Sequence, residues 1–324
     1  MDRADNRPAL TARSSQAAAA AAAGHWAAAR EQFAALLPDL ERVLGAEHPD
    51  TLSARASLAE LTWRASAPAD HETTQAARDQ FAALVPELQR VLGAEHPATL
   101  AARVSLTFWT RAPWAVDQLA ALLGDLERVL GAEHPATLTA RGRCAQLRGD
   151  DGDFEAARHL FAALVPDLER LLGAEHPATL TARASLAEWT GMAGFGLPAV
   201  GVRRVFQRVR LRFQRDFLWG GRCRCLGCAR RAAARDQLAA LLPDLERVLG
   251  AEHSDTLGAR WSLAMWTAEA GDAADGRDQY AALLPDLERV WALTTPRRRP
   301  RARTLHGRLA WLKTSCASTV RSTR

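Results

Sequence analysis

Arg78-Asp79-Gln80-Phe81-Ala82-Ala83-Leu84 opens a stretch that closes on Leu92-Gly93-Ala94-Glu95-His96, and both phrases return along the chain. The first recurs in six forms; the second stands at residues 44 to 48, 92 to 96, 130 to 134, 172 to 176 and 249 to 253. A period of about 42 residues that holds two helix-length segments specifies a stacked helical solenoid. The fold class is therefore all-α, an α-α superhelix of about six helix pairs.

Working outward, two intervals are rigid and one is elastic. From the Leu of the junction to the next large residue (Leu44 to Leu61, Leu92 to Trp109, Leu172 to Trp189, Leu249 to Trp266) the gap is 17 every time. From Arg30 to Leu44, Arg78 to Leu92, Arg158 to Leu172 and Arg235 to Leu249 it is 14. The third interval varies from 7 residues (Trp109 to Val116) to 46 (Trp189 to Arg235), which marks a surface turn.

After Arg30 the apolar residues Phe33, Leu36, Leu37, Leu40, Val43 and Leu44 line one helix face. This is helix B, and Gly45 ends it. Helix A, from Asp50 to about Arg64, is small-sided, with His48-Pro49 at its entry. Pro38, Pro86, Pro166, Pro243 and Pro285 sit mid-B, with Gly124 in that place once. A proline there removes a hydrogen bond and bends the helix; the alternative is two short helices.

The layout resembles the tetratricopeptide repeat, in the 42-residue form found in kinesin light chains and in many bacterial signalling proteins. Ala29-x3-Phe33, Ala77-x3-Phe81 and Ala157-x3-Phe161 carry the helix B signature, and residues 92 to 103 look like that subfamily's junction. The departures are the prolines and Ser57, Ser105, Ser185 and Ser262, where the family usually has Asn. Repeats are expected at about 9–45, 50–93, 98–131, 136–173, 178–250 and 255–292, making one solenoid domain over 9–292. A basic irregular insertion over 193–231 interrupts the fifth, and a basic disordered tail over 293–324 follows.

One lysine, Lys313, against 41 arginines is the bias of a GC-rich, actinobacterial kind of genome. The net charge of +5 hides an asymmetry: the insertion holds ten arginines and one acid, Asp216, and residues 291–324 hold eight arginines and Lys313 with no acid. The remainder of the chain is acidic. Val290-Trp291-Ala292-Leu293-Thr294-Thr295-Pro296, back-translated with GC-rich codons and read two bases on, gives Val-Gly-Ala-Asp-His-Pro, so the tail reads as a further repeat out of frame. No segment has 18 uninterrupted apolar residues, and a cytoplasmic location with no membrane contact is expected.

Cys223, Cys225 and Cys228 cluster among arginines, but a structural zinc site needs a fourth ligand, and no second cysteine pair exists. The junction histidines His48, His96, His134, His176 and His253 recur too far apart for one metal, because packed helices lie about 8–10 Å apart. They read as structural residues. No phosphate loop, Gly-x-Ser-x-Gly or His-Glu-x2-His is present. The expectation is a non-enzymatic protein without metal or cofactor.

Helix A also repeats an arginine: Arg13, Arg55, Arg103, Arg141, Arg183 and Arg260. The resemblance implies that helix A lines a concave surface and that residues near this arginine contact an extended peptide. Groove candidates are therefore Arg55, Ser57, Arg103, Ser105, Phe108, Arg141, Arg183, Ser185, Arg260 and Ser262. A salt bridge from each arginine to a helix B glutamate such as Glu41 or Glu47 stands as the competing reading. A protein or peptide partner is expected, and nucleic acid is not. The alternatives are a degenerate or frameshifted fragment of a larger regulatory protein, and a nucleic-acid accessory protein using Arg297, Arg298, Arg299, Arg301 and Arg303.

Overall fold

The computed structural model describes residues 7–64, 71–110, 112, 114–194 and 226–294. Among them lie helices α1 (Arg7–Ala22), α2 (Trp26–Leu44), α3 (Pro49–Arg64), α4 (His71–Leu92), α5 (Pro97–Thr110) and α6 (Ala115–Leu130). The series continues with α7 (Pro135–Asp150), α8 (Phe154–Leu172), α9 (Pro177–Ala193), α10 (Leu226–Leu249), α11 (Ser254–Glu269) and α12 (Ala273–Thr294). Odd-numbered helices are A, even-numbered are B, and each packs against its neighbours in sequence to give a superhelical solenoid of six pairs.

The B-to-A junctions are four residues long wherever they occur, at 45–48, 93–96, 131–134, 173–176 and 250–253, and all length variation falls in the A-to-B turns. Gly45, Gly93, Gly131, Gly173 and Gly250 hold φ between 88° and 99°. With ψ 156° at Gly45 this lies beyond the left-handed helical region, in territory that a Cβ all but forbids. The histidine then caps the next helix: Nδ1 of His48, His96, His134, His176 and His253 accepts from the backbone N–H two residues on, at 3.1–3.2 Å. An imidazole caps in this way only when Nδ1 carries no proton.

Pro38, Pro86, Pro166, Pro243 and Pro285 lie inside continuous helices, so B does not split in two. The helices persist because their apolar faces are committed to the core. Phe81, Leu84 and Leu88 of α4 are buried, as are Phe161, Leu164 and Leu168 of α8, and each such side chain stabilises by about 1.5–3 kcal/mol. Small residues on A admit large ones from the next repeat: Gly149 lies against Trp189, and Gly191 against Trp266.

Two boundaries differ from the sequence reading. Helix α10 begins at Leu226, so the end of the patternless stretch is the first turn of a B helix, anchored by Arg230 to Glu155 and by Arg231 to Glu269 at 3.0 Å. Helix α12 runs past Trp291 to Thr294, because the helix-forming run outlasts the repeat motif. Residues 195–225 of the insertion and the tail from 295 lie outside the described residues.

The superhelix also meets itself. Nε2–H of His253 donates to the Gly24 carbonyl at 3.2 Å, and the Trp26 ring lies 6.1 Å from the His253 ring. The first A-to-B turn thus rests on the junction between the fifth and sixth pairs.

Candidate peptide-binding face

Successive A helices touch across repeats, α3 with α5, α5 with α7 and α9 with α11, which puts them on the inner side of the curve. Their recurrent arginine has a definite partner in four repeats. Arg13 reaches Asp39 at 2.7 Å, Arg55 reaches Glu87 at 2.7 Å, Arg141 reaches Asp167 at 2.7 Å and Arg260 reaches Asp286 at 2.8 Å. In each case the acid follows the mid-B proline, and hydrogen bonds from Arg13 and Arg42 hold the Asp39 carboxyl below its ordinary range. These are struts between A and B of one repeat. The acids named from sequence, Glu41 and Glu47, are not their partners; Glu47 instead takes Arg90 of the next repeat at 2.6 Å.

That last contact begins a second series, which sequence reasoning missed. Arg128 pairs with Glu95 (2.9 Å), Arg170 with Glu133 (2.7 Å), Arg247 with Glu175 (2.9 Å) and Arg289 with Glu252 (2.5 Å). Each joins the last turn of one B helix to the preceding junction. All are well exposed, so they fix register more than they add stability.

Arg103 and Arg183 stand apart. Arg103 makes no ion pair among the described residues, its counterpart acid Asp125 being paired with Arg128 at 3.3 Å. Arg183 lies 3.9 Å from Glu169 of the previous repeat, while Asp244 pairs with Arg247 at 3.0 Å. Ser57 and Ser185 are half-buried on α3 and α9, and Ser262 is buried on α11.

Ser105 and Phe108 are buried beneath Arg143, which crosses the inner face. Arg143 donates through Nη1 to Ser105 at 2.6 Å and through Nη2 to Glu60 on α3, and its guanidinium lies 5.3 Å from the centre of the Phe108 ring. Arg64 joins Glu60 at 3.0 Å. Burial raises the Glu60 pKa, but the charges of Arg143 and Arg64 more than reverse this and bring it to about 2. Arg143 occupies the place held by Ser57, Ser105, Ser185 and Ser262 in other repeats; that one departure from the pattern was the available signal. Further along, burial and the nearby Asp150 carboxylate push Glu188 of α9 up to about 7.

With this geometry in place, residues 10–50 match the tetratricopeptide repeat family model. That match spans the first helix pair and the junction after it. Similar solved structures are the nearly identical TPR-like repeats of a candidate kinesin light chain from Podosopora anserina (20% identity, TM-score 0.45, 76% of this chain and 98% of that one) and a single-residue variant of the same repeats (19%, 0.44, 80% and 98%). BtubC (BKLC) from P. vanneervenii is also similar (14%, 0.45, 90% and 95%). No curated protein matches the sequence.

In this helical array Cys228 is half-buried in α10, Cys223 and Cys225 lie outside the described residues, and burial pushes the Cys144 thiol up. Among the described residues no group of His, Cys, Asp and Glu is arranged to hold a metal ion, and no helix is long and apolar enough to cross a membrane.

Proposed function

We propose that the protein is a non-catalytic, cytoplasmic protein-protein interaction scaffold that takes an extended peptide on the concave face formed by its A helices. What carries this reading is the division among the recurrent arginines. Arg13, Arg55, Arg141 and Arg260 are spent on struts within their repeats, whereas in the central repeats Arg103 makes no ion pair among the described residues and Arg183 meets Glu169 only through Nε at 3.9 Å. A guanidinium fork grips a carboxylate or peptide carbonyl with two parallel donors, which an ammonium does not. Ser57 and Ser185 supply neutral donors along the same helices.

The test is affinity capture of partners with the wild-type chain and with Arg103→Ala/Arg183→Ala. Loss of about 1–3 kcal/mol of binding, with melting unchanged, supports the reading. Normal binding with early melting makes these two arginines further struts and defeats it.

A further inference from the structure

The Arg143 receiving site has a second copy in the array that no arginine of the described residues fills. In the first copy the receivers are Glu60 of the second repeat and Ser105 and Phe108 of the third, five, two and five residues after Arg55 and Arg103 respectively. At the same offsets from Arg183 and Arg260 stand Glu188 of the fifth repeat and Ser262 and Met265 of the sixth. Helices α9 and α11, which carry them, pack along each other as α3 and α5 do.

The arginine of the first copy comes from the A helix two repeats beyond Glu60. For Glu188 the equivalent helix would be the A helix of a seventh pair, which falls outside the described residues. The second arginine on Glu60, Arg64, is replaced at its offset by Met192 beside Glu188. Among the described residues Glu188 makes no ion pair, and Ser262, nine-tenths buried, makes no side-chain hydrogen bond. The Asp150 carboxylate also acts on Glu188 there.

We infer that Glu188, Ser262 and Met265 form a receiving site for an arginine side chain of a partner polypeptide lying along the concave face. The first copy shows what the site selects. One guanidinium donates in two directions, to a carboxylate and to a serine hydroxyl, while its flat face covers an apolar side chain; an ammonium lacks both the span and the face. This deepens the scaffold reading and rests on it, naming the chemistry that the bound peptide presents.

The probe is the pentapeptide acetyl-Ala-Ala-Arg-Ala-Ala-amide, with lysine and citrulline versions, titrated calorimetrically into the full chain at pH 8. The arginine peptide is expected to bind at least about tenfold more tightly than the citrulline peptide, to lose about ten- to hundredfold with Glu188→Gln, and to retain its affinity with Asp39→Asn. Carbon-13 NMR of the Glu188 carboxyl should show its titration moving to lower pH when the arginine peptide is present. Equal binding of arginine and citrulline peptides, or an unchanged affinity in Glu188→Gln, overturns the site. If Arg103→Ala/Arg183→Ala still weakens a natural partner, the scaffold reading survives that result. A full-length chain with Arg297, Arg298, Arg299, Arg301 and Arg303 changed to Gln should bind the probe as wild type does. A tenfold gain there would mean that the chain's own tail fills the site, and would overturn its assignment to a partner.

Discussion

Gly149→Ala and Gly258→Ala make the same chemical change on two A helices and should act with opposite sign. Gly149 is buried in the last turn of α7, and a Cβ built there meets Cη2 and Cζ2 of Trp189 at 2.6 Å and Cζ3 at 2.7 Å. Trp189 is only 2% exposed and stacks on Phe154 at 5.9 Å, so the indole has nowhere to retreat. Overpacking of this kind costs about 1–3 kcal/mol. Alanine returns up to about 1 kcal/mol of helix propensity in a helix interior, and less in a last turn. The net expectation is a destabilisation of about 1–2 kcal/mol. At Gly258 of α11 nothing lies within 4 Å, and the propensity gain of about 0.5–1 kcal/mol stands alone. Urea denaturation followed by helical circular dichroism should therefore separate the two variants by about 1.5–3 kcal/mol, with wild type between them. A Gly149→Ala protein as stable as Gly258→Ala would refute the packing of Trp189 on Gly149, and with it the inter-repeat register.

His176, whose pKa burial lowers from its ordinary value of 6.5, favours the folded state when neutral, so its contribution is present above about pH 6.5 and is lost as pH falls toward the depressed folded value. His176→Asn keeps a cap that does not titrate and should flatten the stability profile below about pH 6.5. Glu188 has the opposite sign: raised from 4.5 to about 7, it favours folding when protonated, and that contribution is lost as pH rises through 7. Glu188→Gln should accordingly exceed wild type by about 1–3 kcal/mol in urea melts at about pH 8 and match it near pH 4. Thr99 is fully buried with its hydroxyl unpaired among the described residues, so Thr99→Val should raise stability by about 1 kcal/mol in the same melts.

The repeat architecture was legible because helices and junctions have fixed lengths: the rigid intervals of 17 and 14 residues became helix pairs joined by four-residue turns. The mid-B prolines remained inside helices, since a buried apolar face holds what one missing hydrogen bond loosens. Arg13, Arg55, Arg141 and Arg260 were recognised as a recurrent set, but the acid that each one meets depends on how A leans across B. That inclination is not written in the spacing. Arg143 and Glu60 are 83 residues apart, and only the curvature of the array brings them together. The contact of Gly24 with His253, 229 residues apart, depends on superhelical pitch in the same way.

In the proposed binding mode the partner lies on the inner, A-helix side. A photo-crosslinking residue placed at Ser185 of α9 and, in a separate protein, at exposed Gln80 of α4 tests it directly when each is exposed to a cell lysate and irradiated. A discrete crosslinked partner is expected from position 185, disappearing in the Arg103→Ala/Arg183→Ala background, and none from position 80. Crosslinking of that partner from position 80 alone would place binding on helix B and contradict the claim.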